Sequence, residues 1–430
     1  MPRRSPAISA GSRARFVPDL PTEAPPALGR ATTLLLAVAA GLAVANVYYA
    51  QPLLGAIRHD LHIGGAVIGI VITVTQIGYG LGLFLVAPLG DLVDRRRLII
   101  GQMLLVALAL AAVAFARSGV MLLGAMAVAG LLAVVAQVIV AHAASLAAPE
   151  QRGRIVGTVT TGIVMGILLA RTVSGFLSDL CGWRSVYLVS AAASLAVAGL
   201  LAAALPGQHK AVVAIPYGRL VTSFFTLFVE LPILRIRATL AALIFFSITV
   251  LLTPLALALS AEPYALSQTQ IGLFGLAGAA GALGAASAGR LADRGFAQHV
   301  TGIALGLMLL AWLPIAALQR SLWGLVVGVL VIDYGLQTVH VANQTLIYRV
   351  RPDAQTRLAA GYMIFYSLGC SAGSILSTLA FARYGWLGVC ALGAGGSATA
   401  IFFWAVTKDA PEFDSRAGVI PDESEMADRA

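Results

Sequence analysis

Long uncharged stretches recur along the whole chain, and each is long enough to cross a lipid bilayer as a helix. Such a crossing needs about 20 predominantly apolar residues. Twelve stretches meet this need, at residues 32–56, 64–89, 98–116, 119–143, 155–178, 185–206, 238–260, 267–289, 299–318, 321–346, 358–381 and 385–407. We number them spans one to twelve. Because lipid cannot satisfy backbone polar groups, the pattern predicts an all-α membrane protein with twelve transmembrane helices.

Composition excludes a soluble protein and argues against two other classes. Only 11% of the residues are charged, whereas a soluble domain carries about 25%. Cys181, Cys370 and Cys390 have neither disulfide nor metal-site spacing, so we expect no metal and no cofactor. The net charge of +9 lies in short clusters between spans. Such clusters are typical of orientation signals rather than of a nucleic-acid-binding face.

The placement of Lys and Arg predicts the orientation. If both termini are cytoplasmic, only five of the 28 basic residues fall in outside segments: Arg58, Arg117, Arg184, Arg320 and Arg383. This bias predicts that both termini are cytoplasmic. The apolar runs on either side of residues 207–237 predict two bundles, 30–206 and 238–407, and the inner membrane of a bacterium is the expected location. A disordered cytoplasmic arm (1–29), a cytoplasmic linker (207–237) and a cytoplasmic tail (408–430) are expected around them.

Several landmarks recur at a nearly constant offset. The run GDLVDR at 90–95 matches GRLADR at 289–294, at an offset of 199, and Gly182-Trp183 matches Gly385-Trp386, at an offset of 203. The repeat predicts a duplicated six-helix unit. Two parallel six-helix units place a binding site near the bilayer midplane between them.

Two runs carry a resemblance to a known family. GDLVDRRR at 90–97 resembles the loop between helices two and three of the major facilitator superfamily, although the glycine expected after the Asp-Arg pair is missing. NVYYAQPLL at 46–54 resembles a subgroup of bacterial drug or sugar exporters. The resemblance covers about residues 30–407. It implies secondary transport by alternating access, with a small-molecule substrate, protons and the bilayer as partners and a monomeric state.

The resemblance also implies a role for the two repeated loops. Their charges either orient the spans or form clusters that hold an inner gate shut. The residues concerned are Gly90, Asp91, Asp94, Arg95, Gly289, Asp293 and Arg294.

Asp333 is the one acid near the centre of a span. A carboxylate at that depth is costly unless it is paired, hydrated or protonated. Its proton affinity depends on whether water reaches it, so it could load and release a proton as the protein changes state. The alternative is a structural hydrogen bond to a neighbouring helix.

Arg171 is the basic residue lying well inside a span. The glycine-rich segment before it resembles the antiporter motif of helix five, with Arg171 in place of the expected proline. Three interpretations remain open: pairing with Asp333, binding of an anionic substrate, or extension of the side chain to the outer interface.

Other polar residues in spans one, four, five and ten form a predicted substrate cavity. Asn46 and Tyr49 share a helix face, and Asp333, Gln337 and His340 lie on one stripe. The alternative for each is an interhelical hydrogen bond, which contributes only about 0.6 kcal/mol. The predicted set is Asn46, Tyr49, Gln51, Gln137, Arg171, Tyr334, Gln337, His340 and Asn343.

The sequence therefore favours a proton-coupled exporter of a small organic molecule, drug-like or sugar-like. A proton-coupled importer is the main alternative. A membrane sensor is less favoured because the polar ends are short. No nucleotide-binding loop, catalytic triad or metal cluster is recognisable in the sequence, so we expect no enzyme activity.

Overall fold

The computed structural model describes residues 29–148, 151–205, 217–278, 281, 291, 294, 296–350 and 355–409. This part of the chain is helical, without strands. Nine of its helical segments are long and apolar enough to cross a membrane, and the segment Arg357–Thr407 among them contains two predicted spans. The all-α architecture with twelve spans is thereby confirmed. The predicted arm and most of the tail lie outside the described residues.

The first bundle contains spans one to six. Span one is formed by Arg30–Tyr48 and Ala50–Asp60, span two by Ile70–Leu85, span three by Arg95–Ala114, span four by Gly119–Leu132 and Val135–Leu146, span five by Arg152–Cys181 and span six by Trp183–Ala204. A short helix, Leu89–Leu92, precedes span three. Asp94 is the N-cap of span three. Its carboxylate accepts the N–H of Arg96 at 2.8 Å and so caps the helix.

The second bundle contains spans seven to twelve. Span seven is Pro232–Ser260, span eight begins as Gln268–Leu273 and the 3-10 turn Phe274–Ala277, span nine is Ala297–Leu310, Trp312–Ala316 and the turn Ala317–Gln319, span ten is Leu322–Val350, and spans eleven and twelve form Gln355–Thr407. Most of the later part of span eight lies outside the described residues.

A repeat-related glycine separates the last two spans of each bundle. Gly182 has a φ of 80° and Gly385 a φ of 63°. This region of backbone space is open to glycine at little cost. Trp183 and Trp386, which follow these glycines, are both buried. The duplicated six-helix unit is therefore visible in the backbone as well as in the sequence.

Span seven begins earlier than hydropathy predicts. The linker forms a helix, Tyr217–Glu230, and Pro232 then starts span seven in the favourable first turn. Arg235 is exposed, but Arg237 is buried within the bundle. The charged residues just before position 238 led to the prediction that the span starts there. The helix instead runs through that position without a break, because its backbone hydrogen bonds do not depend on side-chain charge.

Small residues allow neighbouring spans to approach closely. A methyl group added to Gly41 of span one would overlap the backbone of Gly162 in span five, and one added to Gly78 of span two would overlap Ala127 in span four. Gly369 of span eleven meets Ala242 of span seven in the same way. Such contacts are typical of helix packing in membranes.

Candidate substrate site between the two bundles

The two ends of the bundles need neutral names. We call the end that contains Arg30 and Lys408 the terminus face, and the opposite end, which contains Asp60, Gly182 and Gly385, the far face. The midplane lies between them, near the centre of span ten.

The far face is closed by contacts between spans five and eight. The carboxylate of Asp179, near the end of span five, accepts the backbone N–H of Gln268 at 3.1 Å and of Thr269 at 2.7 Å. It also accepts the Thr269 hydroxyl at 2.6 Å. A carboxylate is stabilised at a helix N-terminus by the N–H groups and the dipole. Asp179 therefore fastens the first bundle to the start of span eight.

Spans two and eleven close the far face on the other side. The Thr73 hydroxyl donates to the carbonyl of Ser371 at 3.0 Å, and the Ser374 hydroxyl donates to the carbonyl of Gly69 at 2.7 Å. A methyl group on Gly69 would overlap the backbone of Ser374. The far ends of the two bundles are thus in direct contact in this conformation.

An aromatic cluster of Tyr48, Tyr79, Phe245 and Tyr366 joins the bundles near the midplane. The hydroxyls of Tyr48 and Tyr366 are 2.6 Å apart. Tyr366 also packs edge-to-face against Phe245, with ring centroids 4.3 Å apart, and against Tyr79 at 6.5 Å. Gln137, from the predicted cavity set, donates to the Tyr79 hydroxyl at 3.5 Å. Tyr48 and Tyr366 were missed in the sequence, where tyrosines in apolar spans carry no signal of which side they face.

Arg171 lies at the bundle interface and does not extend to the outer interface. Its Nε donates to Oε1 of Gln51 at 2.6 Å, and its guanidinium lies 5.6 Å from the ring centre of Tyr48. Gly275 of span eight makes room for it, since a methyl group there would lie 2.9 Å from the Cβ of Arg171. Gln51 and Arg171, both predicted for the cavity, are therefore in direct contact.

Asp333 is buried in span ten, with 7% of its surface exposed. Among the residues that the structure describes, its Oδ2 has no hydrogen-bond partner. No ion pair joins Asp333 to Arg171 in the part of the chain that the structure describes. Direct pairing, one of the three interpretations, does not occur in this conformation.

Span eight packs against span ten beside Asp333. A methyl group on Gly281 would lie 2.8 Å from the Cγ of Gln337 and 3.3 Å from the backbone oxygen of Asp333. Gln337 is thus in contact with span eight, while Tyr334 is half-buried one turn away. The side chains on the predicted stripe therefore have different neighbours along its length.

The end of the stripe nearer the terminus face lies inside the second bundle. His340 Nδ1 is 3.0 Å from the hydroxyl of Tyr362, and its ring packs against Phe245 at 5.3 Å. Asn343 is fully buried, and its Oδ1 accepts a hydrogen bond from Arg237 at 3.5 Å. Asn343 therefore contacts span seven of its own bundle, which differs from the cavity-facing position that the sequence predicts.

Asn46 and Tyr49 share a helix face, and that face is turned toward span six. The hydroxyl of Ser190 donates to Oδ1 of Asn46 at 2.7 Å. Tyr49 packs edge-to-face against Tyr187, with ring centroids 6.4 Å apart. Both are buried. Their helix face points into the first bundle, whereas Tyr48, which immediately precedes Tyr49, points toward Tyr366 in the second bundle.

Two cavities border this region. The smaller, of about 20 Å³, is lined by both bundles, with Gln51, Pro52 and Arg171 on one side and Leu252, Leu255, Ala256, Ile271, Phe274 and Gly275 on the other. The larger, of about 580 Å³, is an apolar groove along spans one and five from Leu34 to Val173, and Tyr49 is the predicted cavity residue among its described lining. The smaller cavity is the candidate site because both bundles contribute to it.

The first gate loop is tied to its own bundle. Arg95 Nε donates to the carbonyl of Gly90 at 2.8 Å, and Nη1 donates to the carbonyl of Ala141 in span four at 3.1 Å. Asp94 caps span three, as described above, and Asp91 lies in the short helix before it. Arg294 lies in an exposed turn, while Gly289 and Asp293 are outside the described residues. A gate that joins the two bundles through these loops stays a prediction.

Comparisons with known proteins agree with this architecture. The Major Facilitator Superfamily model matches residues 36–350. The transporter YgaY of Escherichia coli is 45% identical over 377 residues, covering 88% of this chain and 95% of the relative. The probable transporter SCO4007 of Streptomyces coelicolor is 33% identical over 388 residues, covering 88% and 87%.

A solved structure gives the same result for the fold. The crystal structure of the nucleoside transporter NupG superposes with a TM-score of 0.69 at 15% identity, covering 88% of this chain and 99% of that one. Two duplicated six-helix bundles, a site between them and the family match over most of the chain lead to one conclusion: this multi-pass membrane protein belongs to the major facilitator superfamily of secondary transporters.

Proposed function

We propose that this secondary transporter exports a small organic molecule, drug-like or sugar-like, in exchange for protons. In this proposal the protein is a monomer in the inner membrane of a bacterium, and the terminus face is cytoplasmic. Asp333 carries the proton. The distribution of basic residues and the resemblance of residues 46–54 to exporters support the orientation and the direction.

The observation that carries the proposal is the environment of Asp333. A buried carboxylate whose Oδ2 has no hydrogen-bond partner in the described part of the chain is costly in its charged form. It becomes tolerable when a proton neutralises it or when water or a ligand reaches it. A site that alternates between the two faces changes the hydration of this group in every cycle, which couples proton binding to the conformational change.

Closure of the far face in this conformation determines which contacts must break during transport. In the described conformation, Asp179 and the contacts of spans two and eleven hold the far ends together. Release of the substrate at that face requires these contacts to break. A proton bound to Asp333 in the far-face-open state and released at the terminus face would then drive export.

The substrate can be found by comparing cells that lack the protein with cells that over-produce it. Growth inhibition by a panel of toxic compounds and metabolite analogues is measured with and without a proton uncoupler. We expect over-production to protect cells from at least one compound, and the uncoupler to remove the protection. Sensitisation by over-production would instead identify an importer.

The role of Asp333 is tested in vesicles with a substrate found in that panel. Asp333→Asn preserves size and hydrogen bonding but cannot release a proton, so accumulation driven by a pH gradient should be lost while downhill exchange persists. Asp333→Glu should retain partial activity with a displaced pH optimum. Full uphill transport by Asp333→Asn, at matched protein level, would leave Asp333 a structural residue.

A further inference from the structure

Spans one and five each carry an exposed arginine where they begin, at the terminus face. Arg30 is the first residue of the helix of span one, and Arg154 lies in the first turn of span five. Both side chains are exposed. Neither forms an ion pair with an acid in the part of the chain that the structure describes.

Close packing fixes the relative height of these two helices. A methyl group added to Gly162 of span five would overlap the backbone oxygen of Ala37 in span one. One added to Gly166, a turn further along span five, would overlap the backbone oxygen of Gly41, a turn further along span one. The two helices therefore run parallel, with Ala37 level with Gly162.

This register brings the two arginines to the same height. Arg30 lies seven residues before Ala37, and Arg154 lies eight residues before Gly162. A difference of one residue is only about 1.5 Å along a helix. Two like charges side by side repel each other. An anion between them replaces this repulsion by two attractions, and a phosphate matches the planar guanidinium fork especially well.

The apolar groove of about 580 Å³ begins one turn beyond the arginines. Leu34 and Thr158, at its terminus end, lie four residues after Arg30 and Arg154 and therefore on the same helix faces. Along span one the groove reaches Tyr49, a length of about 22 Å. The hydrocarbon layer of one leaflet is about 15 Å thick, so the groove can hold a full acyl chain.

The few polar groups in the groove already have partners. The hydroxyl of Thr158 donates to the backbone oxygen of Arg154 at 2.9 Å, and that of Thr161 donates to the backbone oxygen of Gly157 at 2.9 Å. The other described lining residues, apart from Tyr49, are aliphatic, glycine or methionine. A polar solute in this groove would lose hydrogen bonds to water without replacement, whereas a hydrocarbon chain would lose none.

We propose that the groove of spans one and five, together with Arg30 and Arg154, binds an anionic phospholipid. The two arginines hold the phosphate, and an acyl chain lies along the groove. None of the described lining residues belongs also to the small cavity between the bundles. The proposal goes beyond the proposed function, because it depends on neither the substrate nor the direction of transport.

Lipid binding to the purified full-length protein tests the proposal without any transport. The protein is stripped of lipid in a neutral detergent at low ionic strength. It is then titrated with phosphatidylglycerol or phosphatidylcholine, both with two oleoyl chains, and with glycerol phosphate, which has no chain. Affinity is obtained from the rise of the melting temperature with ligand concentration. Phosphatidylglycerol should bind more tightly than phosphatidylcholine, by about fivefold for each arginine, and glycerol phosphate should not stabilise the protein.

Charge variants test the phosphate site. Arg30→Gln and Arg154→Gln should each reduce the preference for phosphatidylglycerol about fivefold, and the double variant should abolish it. Arg97→Gln is the matched control. Arg97 is likewise exposed at the start of a span on the terminus face, but it belongs to span three and lies away from the groove. It should leave the preference unchanged.

Variants that fill the groove test the position of the chain. Val38 and Thr161 line the groove and are exposed, so a tryptophan at either position should fold normally and occupy the space of the chain. Val38→Trp and Thr161→Trp should weaken both phospholipids several-fold and leave the preference between them unchanged. Leu108→Trp is the control, because Leu108 is exposed on span three outside the groove. Each variant is compared with its own lipid-free melting temperature.

Three outcomes would overturn the proposal. The first is equal affinity for the two phospholipids, or a preference that survives in the double arginine variant. The second is that Val38→Trp and Thr161→Trp weaken binding no more than Leu108→Trp does, which would place the chain elsewhere. The third is that glycerol phosphate stabilises the protein as well as phosphatidylglycerol does, which would indicate a site for a soluble phosphate compound.

Discussion

Tyr48 and Tyr49 are neighbours in the chain with different surroundings. The hydroxyl of Tyr48 meets that of Tyr366 in the second bundle at 2.6 Å, while Tyr49 packs against Tyr187 in the first. Successive residues on a helix point about 100° apart. One turn of span one therefore serves both the bundle interface and the bundle interior, and the choice between the two tyrosines depends on the rotation of the helix.

The hydrogen bond between Tyr48 and Tyr366 should contribute modestly and be shared by its two partners. Tyr48→Phe and Tyr366→Phe should each reduce stability by about 1 kcal/mol, the usual net value for such a bond. The double variant should lose no more than either single variant, because the same bond is removed. The measurement is a double-mutant cycle from thermal unfolding in detergent.

Tyr384→Phe provides the control for that cycle. Its side chain is 68% exposed, so loss of its hydroxyl should change stability little and add independently to either variant. Additive losses for Tyr48→Phe and Tyr366→Phe would show that the two hydroxyls are not coupled.

Spans five and eight pack side by side, and Asp179 joins them at the far face. Its carboxylate accepts two backbone N–H groups and one hydroxyl at the first residues of span eight. This contact crosses the bundle interface, whereas the ion pair of Asp60 with Arg184 joins spans one and six of the first bundle. Two acids at the same face thus have different structural roles.

Asp179→Ala should open the far face more often. The variant loses contacts at a helix N-terminus, where an anion contributes about 0.3–1 kcal/mol through the dipole alone. Cysteine introduced at Ala256, which lines the small cavity, should react several-fold faster with a membrane-impermeant reagent added from the far face. Cys181 is exposed and is replaced by serine in all samples.

Asp60→Ala is the matched control for this experiment. It removes an acid from the same face without touching the contact between the bundles, so the reaction rate at position 256 should stay unchanged. Equal rates in Asp179→Ala and the parent protein would show that the far face is held by the contacts of spans two and eleven alone.

At the scale of the whole molecule, two parallel six-helix bundles place the ends of the described chain on one face. Each bundle has an even number of spans, so the linker between them lies on that face too. The excess of Lys and Arg in the corresponding segments predicts that this face is cytoplasmic. The segments assigned to the far face hold few basic residues, among them Arg58 and Arg184.

Reporters can test this orientation directly. Fusions after residue 410 and within residues 207–237 should both give cytoplasmic signals, and a fusion next to Arg320 should give an external signal. The even number of spans in each bundle and the charge bias require this combination. Opposite signals from the linker and the C-terminal fusion would contradict the arrangement of two six-helix bundles in the membrane.

The sequence by itself determined that lipid surrounds most of the chain, how many spans it has and that a six-helix unit is duplicated. These properties depend on the composition and spacing of short segments. A long apolar run forms a membrane helix whichever other helices it packs against. Gly182 and Gly385 could be recognised from the repeated Gly-Trp pair. Both have a positive φ, which favours glycine independently of the surroundings. Asp333 could be singled out because a charge at that depth is rare.

The tertiary structure decided which polar side chains meet. Helical periodicity places Asn46 with Tyr49 on one face, but the rotation of span one turns that face toward Ser190 and Tyr187. The position of Arg171 beside Gln51 and Gly275 likewise depends on how span five crosses spans one and eight. In a lipid environment, where apolar faces are interchangeable, close packing of small residues sets these rotations, and such packing involves residues far apart in the chain.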